Sequence, residues 1–375
     1  MSNNSVSNLS LASRLRDRIR RGGPIPFRAW MEAALYDQQE GYYYRSERER
    51  WGRLGDYRTS PERSVLFAAT FARYYAKLHQ ELGSPTEWTI VEVGAGEGYF
   101  AAGVLETLQR RSPKVFNATR YIIDEVSVDS QSRAEQKLAR FDEQVDCKRL
   151  TELHPINPGI IFSNELFDSF PVHRATVSAG QLREFYVGIN GKEDFEWTIG
   201  PPSTTRLAEY FEQQGIQLAE GQIVEVNLEI EAWFRQSAGK LGNGYLISVD
   251  YGAEANELYG STARREGTLR AFQRHQIADD VLARPGEQDI TTSVDWTFVK
   301  RIGKELGFET IEFERQDRFL LNAGLLEELE RRVSEAQDES ERLRLRTSAR
   351  EMILPGGMAA SFQVLVQKRT SEAGK

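Results

Sequence analysis

The stretch T-I-V-E-V-G-A-G-E-G-Y-F, from Thr89 to Phe100, decides the fold. Thr89–Val93 is a short β-branched run between polar segments, the pattern of a buried central strand. Gly94, Gly96 and Gly98 follow at alternate positions, and from Phe100 to Leu108 apolar residues recur at helical spacing without proline. The order is strand, glycine turn, helix. In an open α/β sheet such a turn lies at the carboxyl end of a strand, where ligands bind. Glycines there permit positive φ and let a ligand approach the backbone. The dinucleotide fingerprint G-x-G-x-x-G is not met, because the third glycine comes one residue early and Tyr99 stands where that fingerprint wants glycine. Glu92, two residues before the turn, would repel a phosphate and suits a cation.

Composition narrows the function. The chain has 375 residues, 40% hydrophobic and 28% charged, as in a soluble globular protein of one large domain or two ordinary ones. It contains no apolar run of about 18 residues, so no transmembrane span is expected. A net charge of −8 argues against nucleic acid as a general partner. The lone Cys147 excludes an internal disulfide and suits a reducing compartment, and the expected location is cytoplasmic. With one cysteine and four scattered histidines, no metal site is expected. Ser10–Arg21 is rich in Ser and Arg like a transit peptide, but Asp17 interrupts the acid-free pattern. Leu11, Leu15 and Ile19 make it an amphipathic helix with a basic outer face.

Outward from the turn, a second helix is expected over Pro26–Tyr36, then the aromatic turn Glu40-Gly41-Tyr42-Tyr43-Tyr44. Ser60 and Pro61 are placed to start a helix running to about Leu82. These parts form an N-terminal helical cap over residues 1–85, with the sheet domain over 86–375. Its second strand, Arg120–Asp124, ends in Asp124-Glu125. Short strands follow near Asp146–Arg149 and at Gly159–Ser163, and a fifth at Tyr245–Val249. Residues 175–228 alternate in polarity around the hairpin signal Asn190-Gly191 and read as an inserted α+β subdomain. Residues 253–292 read as a long irregular lid. Further strands are expected at Glu309–Glu314 and Ser361–Gln367. The expected fold class is α/β.

The spacing of Glu92, Gly94, Gly96 and Gly98 resembles the E/D-x-G-x-G-x-G of class I S-adenosylmethionine-dependent methyltransferases. The match extends to Met31–Tyr43, Gly55–Glu62, Asn164–His173 (N-E-L-F-D-S-F-P-V-H), Val249–Gly252 and Gly286–Asp295 (G-E-Q-D-I-T-T-S-V-D). In this order and over most of the chain they resemble the MidA-like family, whose mitochondrial members are protein-arginine methyltransferases needed for respiratory complex I assembly. The resemblance implies a Rossmann-like class I fold with a seven-stranded sheet closed by an antiparallel hairpin, S-adenosylmethionine as cofactor and a protein substrate. It leaves the oligomeric state open, a homodimer included.

The implied cofactor residues are Glu92, Gly94, Ala95, Gly96, Gly98 and Asn164, with Glu125 on the ribose and Asp124 as its alternative. Asp56 would close over the cofactor or cap its own turn. If the acceptor is a guanidinium, protonated in water, nearby carboxylates would clamp it and take its proton. Glu165 and Asp168 are the candidates, three residues apart and on one face if their stretch is helical. Asp289 and His275 stand behind them on the lid. Tyr42-Tyr43-Tyr44 reads as packing rather than as a cage for a cation. Two other readings stay open: a small-molecule methyltransferase, and an assembly factor that binds the cofactor without turnover.

Overall fold

The computed structural model describes residues 9–45, 65–273, 276–354 and 361–370. The chain divides into two compact units.

The first unit carries the glycine turn. It comprises Arg58–Leu166, Ala232–Gly252 and Lys300–Lys375, its described part beginning at residue 65. Its strands are β1 (Trp88–Val93), β2 (Thr119–Asp124), β3 (Val145–Cys147), β4 (Gly159–Asn164), β5 (Gly244–Ala253), β6 (Glu309–Arg315) and β7 (Phe362–Arg369). They lie in the order β3-β2-β1-β4-β5-β7-β6. β1 to β5 are parallel, while β7 runs antiparallel to both β5 and β6. Ile160, Ile161 and Phe162 are wholly buried, as a strand covered on both faces requires.

Helices α1 (Val65–Glu81) and α2 (Tyr99–Arg111) pack together against this sheet. Phe71, Phe100 and Phe162 interlock there, the last two stacked at 4.3 Å. The helix at α1 therefore belongs with the sheet. That differs from the cap expected over residues 1–85: its apolar faces fill the sheet core, so this segment cannot stand apart from it.

The second unit combines the described N-terminal residues with Phe167–Glu231 and Ala253–Val299. Helices Leu11–Gly22 and Phe27–Tyr36 bury the expected stripes, Leu11, Leu15 and Ile19 on one and Phe27, Trp30, Met31 and Leu35 on the other. The hairpin about Asn190 forms between Gln181–Ile189 and Phe195–Gly200, and the Asn190 side chain accepts the Lys192 and Asp194 amides. These strands, with Ile25–Pro26, His173–Ser178 and Ile223–Val226, make a five-stranded sheet. The inserted subdomain is thus one part of a unit assembled from three chain segments. Residues 253–292 are not an irregular lid. They contain helix Ala255–Gly260 and the strands Arg270–Gln273, Gln276–Ile277 and Asp289–Thr291, which form a three-stranded sheet. Among the described residues no helix is long and apolar enough to cross a membrane.

Candidate functional site

The turn after β1 is built as a cradle. Gly94, Gly96 and Gly98 take φ of 72°, 56° and 74°, in the left-handed region that side chains disfavour. A Cβ on Gly94 would lie 3.1 Å from Leu166 Cδ1, and one on Gly98 would lie 3.0 Å from Ala134 Cβ. The turn's amides are aimed at the neighbouring strand end: Gly94 N–H donates to the Asp124 carbonyl at 2.8 Å, and Gly96 N–H to Glu125 Oε2 at 2.8 Å. Gly98 then caps α2. Ala95, between the first two glycines, is buried.

Glu125 and Asp124 divide the labour. The second oxygen of Glu125 accepts the Ser127 amide at 2.8 Å, so its carboxylate bridges the glycine turn and the start of α3 (Val128–Leu138). Asp124 is engaged elsewhere, accepting the Leu150 amide at 2.7 Å and pairing with Arg149 at 3.1 Å. Of the two acids at this strand end, Glu125 is the one at the turn.

Glu92 does not sit as an open charge beside the turn. It is buried on β1, and the Tyr121 hydroxyl donates to it at 2.6 Å. Burial pushes its carboxyl up to about 8, the negative Glu125 adding to the effect, so near neutral pH it tends to keep its proton. Glu92 is thus a buried acid bonded to Tyr121 rather than an open charge at the turn's edge. The reason is strand geometry, which turns its side chain toward Tyr121 on the adjacent strand.

At the end of β4 the chain bends rather than winding into a helix. Asn164 closes the strand, and Glu165 takes a left-handed φ of 52°. Its N–H donates to the Val249 carbonyl at 2.9 Å, and its Oε1 accepts Asn164 Nδ2 at 3.1 Å. Among the described residues, Asn164 Oδ1 is buried without a hydrogen-bond partner. The helical turn begins only at Phe167–Ser169. Glu165 and Asp168 therefore do not share a helix face, because the left-handed bend intervenes.

Asp168 is buried in the second unit, where its carbonyl accepts the Thr292 amide at 2.9 Å. Asp289 is also buried there and accepts the Tyr43 hydroxyl at 3.0 Å. Tyr43 in turn packs on Tyr36 and Tyr42, as the packing reading expects. Asp56 and His275 lie outside the described residues.

The structure adds residues that the sequence reading passed over. Tyr121 holds Glu92, and Asp250 accepts the Leu166 amide. On α3, Arg133 pairs with Glu97 at 2.6 Å and Lys137 lies over the Tyr99 ring. With Ala134 between them, these contacts clamp the outer side of the glycine turn. The available signal was helical spacing: residues 133, 134 and 137 share one face of an amphipathic helix directly after Glu125.

A family model described as "Putative S-adenosyl-L-methionine-dependent methyltransferase" matches residues 70–314, from within α1 to within β6. The chain belongs to this family. Curated relatives of the methyltransferase include the protein arginine methyltransferase NDUFAF7 homolog, mitochondrial, of Drosophila melanogaster, 26% identical over 80% of this chain and 71% of that protein. The Homo sapiens protein arginine methyltransferase NDUFAF7, mitochondrial, is 25% identical over 92% and 80%. A Burkholderia thailandensis structure bound to S-adenosyl-homocysteine superposes with a TM-score of 0.85 at 28% identity, covering 97% of this chain and 93% of that one. The resemblance read from the motifs, the α/β fold and the methyltransferase class therefore stand. The residues of the methyltransferase also fit the cofactor: three positive-φ glycines leave a backbone cradle that side chains would fill, with an acid at its rim.

Proposed function

We propose that this enzyme methylates arginine on a protein partner. The observation that carries the reading is Glu165. Its carboxylate is held by Asn164 on a left-handed bend at the carboxyl end of β4, next to the strand that ends in the glycine turn. The names of the curated relatives support arginine as the acceptor.

Bound S-adenosylmethionine supplies an electrophilic methyl group and a neutral thioether as leaving group. The residues of the chain supply alignment and a proton acceptor. Gly94, Gly96 and Gly98 admit the cofactor to the backbone, and Glu125, moving its bonds from the turn's amides, holds the ribose. Asn164 Oδ1 and the Glu165 carboxylate are acceptors side by side. They suit a planar cation with several N–H donors, such as a guanidinium, better than an anionic or hydroxylic acceptor. As the nitrogen–methyl bond forms, the nitrogen's proton passes to Glu165. Asp168, Asp289 and His275 are proposed only as auxiliary groups.

The test is methyl transfer from labelled cofactor into a lysate of cells lacking this protein, read on a gel and in the small-molecule fraction. Label in protein bands, recovered as methylated arginine, is the expected result, and Glu165→Ala should abolish it while keeping cofactor affinity. Label confined to small molecules would make this a small-molecule methyltransferase. Cofactor binding with no label anywhere would leave a binding role in assembly. The relatives named above are mitochondrial by name, so they lend no support to the cytoplasmic placement expected from composition.

A further inference from the structure

We infer that Asp250, in the V-D-Y-G segment ending β5, is a positioning residue whose sealed carboxylate holds the bend that carries Asn164 and Glu165. Strands β4 and β5 run in parallel register as far as the pair Asn164–Val249. The Glu165 N–H makes the last ladder bond, to the Val249 carbonyl at 2.9 Å. There β4 leaves the sheet while β5 continues. Asp250 Oδ2 accepts the Leu166 amide at 3.1 Å, and Oδ1 accepts the Tyr251 amide at 2.9 Å. A side chain thus extends the ladder by one bond around a corner.

The post is rigid. Asp250 is 1% exposed, and its strand is paired on the other side by β7, Asp250 opposite Gln363. Each carboxylate oxygen accepts a backbone amide, so the group acts through the bend.

The bend needs such a post. Glu165 occupies the left-handed region without being glycine, which costs on the order of 1–2 kcal/mol and persists only where neighbours over-determine it. Two consecutive amides, of Glu165 and Leu166, are held from β5. The second bond is to a carboxylate, stronger than one to a neutral acceptor. Leu166 in turn packs toward Gly94, so one carboxylate sets the spacing between the acceptor side and the cofactor turn. A shift of about 1 Å in a reacting group is enough to cost on the order of a hundredfold in rate.

The activity part of the test rests on Glu165 being the acceptor clamp, and the exchange part does not. Full-length wild type, Asp250→Asn and Asp250→Ala are compared by amide hydrogen exchange of peptides covering 164–168, by calorimetric titration with S-adenosylmethionine, by thermal unfolding, and by label transfer into lysate protein at saturating cofactor. In Asp250→Asn, which keeps the volume and one acceptor oxygen, exchange at Leu166 should quicken about tenfold, and Asp250→Ala should go further. Cofactor affinity should change less than about fivefold, while transfer at saturating cofactor should fall at least about thirtyfold in excess of any loss of folded protein. Unchanged protection of Leu166 in both variants would overturn the inference. So would a loss of transfer that merely tracks the folded fraction, or one restored by more cofactor. If wild type itself transfers no label, the proposed function fails, and the exchange data alone still decide whether Asp250 holds the bend.

Discussion

Two sets of motif glycines can be compared, those of the 94–98 turn and the pair Gly41 and Gly286 in the other unit. A Cβ on Gly94 would meet only the tip of a leucine, at 3.1 Å. A Cβ on Gly41 would run into the backbone of Asp37 at 2.4 Å, and one on Gly286 into the carbonyl of Glu40 at 2.1 Å. At Gly94 and Gly98 the nearest atoms are side-chain atoms, whereas Gly41 lets its own turn close on Asp37 and Gly286 lets two distant chain segments touch. Glu40-Gly41-Tyr42 and Gly286-Glu287-Gln288-Asp289 therefore go together for a packing reason. The same contact sets Tyr43 onto Asp289. Around it Arg14 grips Asp37 with two bonds, of 2.6 and 2.8 Å, and the Glu40 carboxylate accepts the Leu11 amide at the helix start. A motif glycine marks a ligand only where the space a side chain would take is not already backbone.

That contrast can be broken by substitution. Gly286→Ala should have the largest effect on stability, roughly 3 kcal/mol or more, since the new methyl meets a carbonyl and φ is 83°. Gly94→Ala should cost only about 1–2 kcal/mol, because a leucine tip can move and only the left-handed penalty remains. Chemical denaturation of both variants decides the order, and equal losses would erase the distinction.

A pH series separates the buried acid from the rim acid. The Glu92 carboxyl is raised to about 8 by burial, above its unfolded value, so the folded state binds more protons between the two. Stability from this group is therefore present at low pH and declines as pH rises toward 8, by roughly 2 kcal/mol between pH 6 and 8. Glu92→Gln should flatten that part of the curve, and a slope unchanged by the substitution would refute the assignment. Smallest is Tyr43→Phe, which removes the hydroxyl donor to buried Asp289 and should cost about 1 kcal/mol in thermal or denaturant unfolding while leaving cofactor binding unchanged. A loss of cofactor binding there would contradict the packing role of this pair.

Much of this was legible in the chain. The β-branched run, the alternate glycines and the apolar strand Gly159–Ser163 specify a parallel sheet because buried strands admit few polar residues. The hairpin at Asn190 and the stripes Leu11-Leu15-Ile19 and Phe27-Trp30-Met31 follow from period alone. Three features lay beyond such reading. Glu165 takes a positive φ where its amide and the next are bonded to another strand, which no local pattern encodes. Arg270–Gln273 and Asp289–Thr291 pair across an interval whose composition resembles a loop. Glu92 is buried, and it meets the Tyr121 hydroxyl only once β1 and β2 are in register. Each depends on partners remote in sequence, and local propensity is silent about those.

The central claim is that the 94–98 turn is a cradle for S-adenosylmethionine, and calorimetric titration of wild type and Gly96→Val tests it most directly. Wild type should bind one equivalent, and the variant, folded by circular dichroism, should show no measurable binding, because a β-branched side chain cannot hold the φ of 56° or leave the backbone clear. Equal affinity in the two proteins would contradict the account.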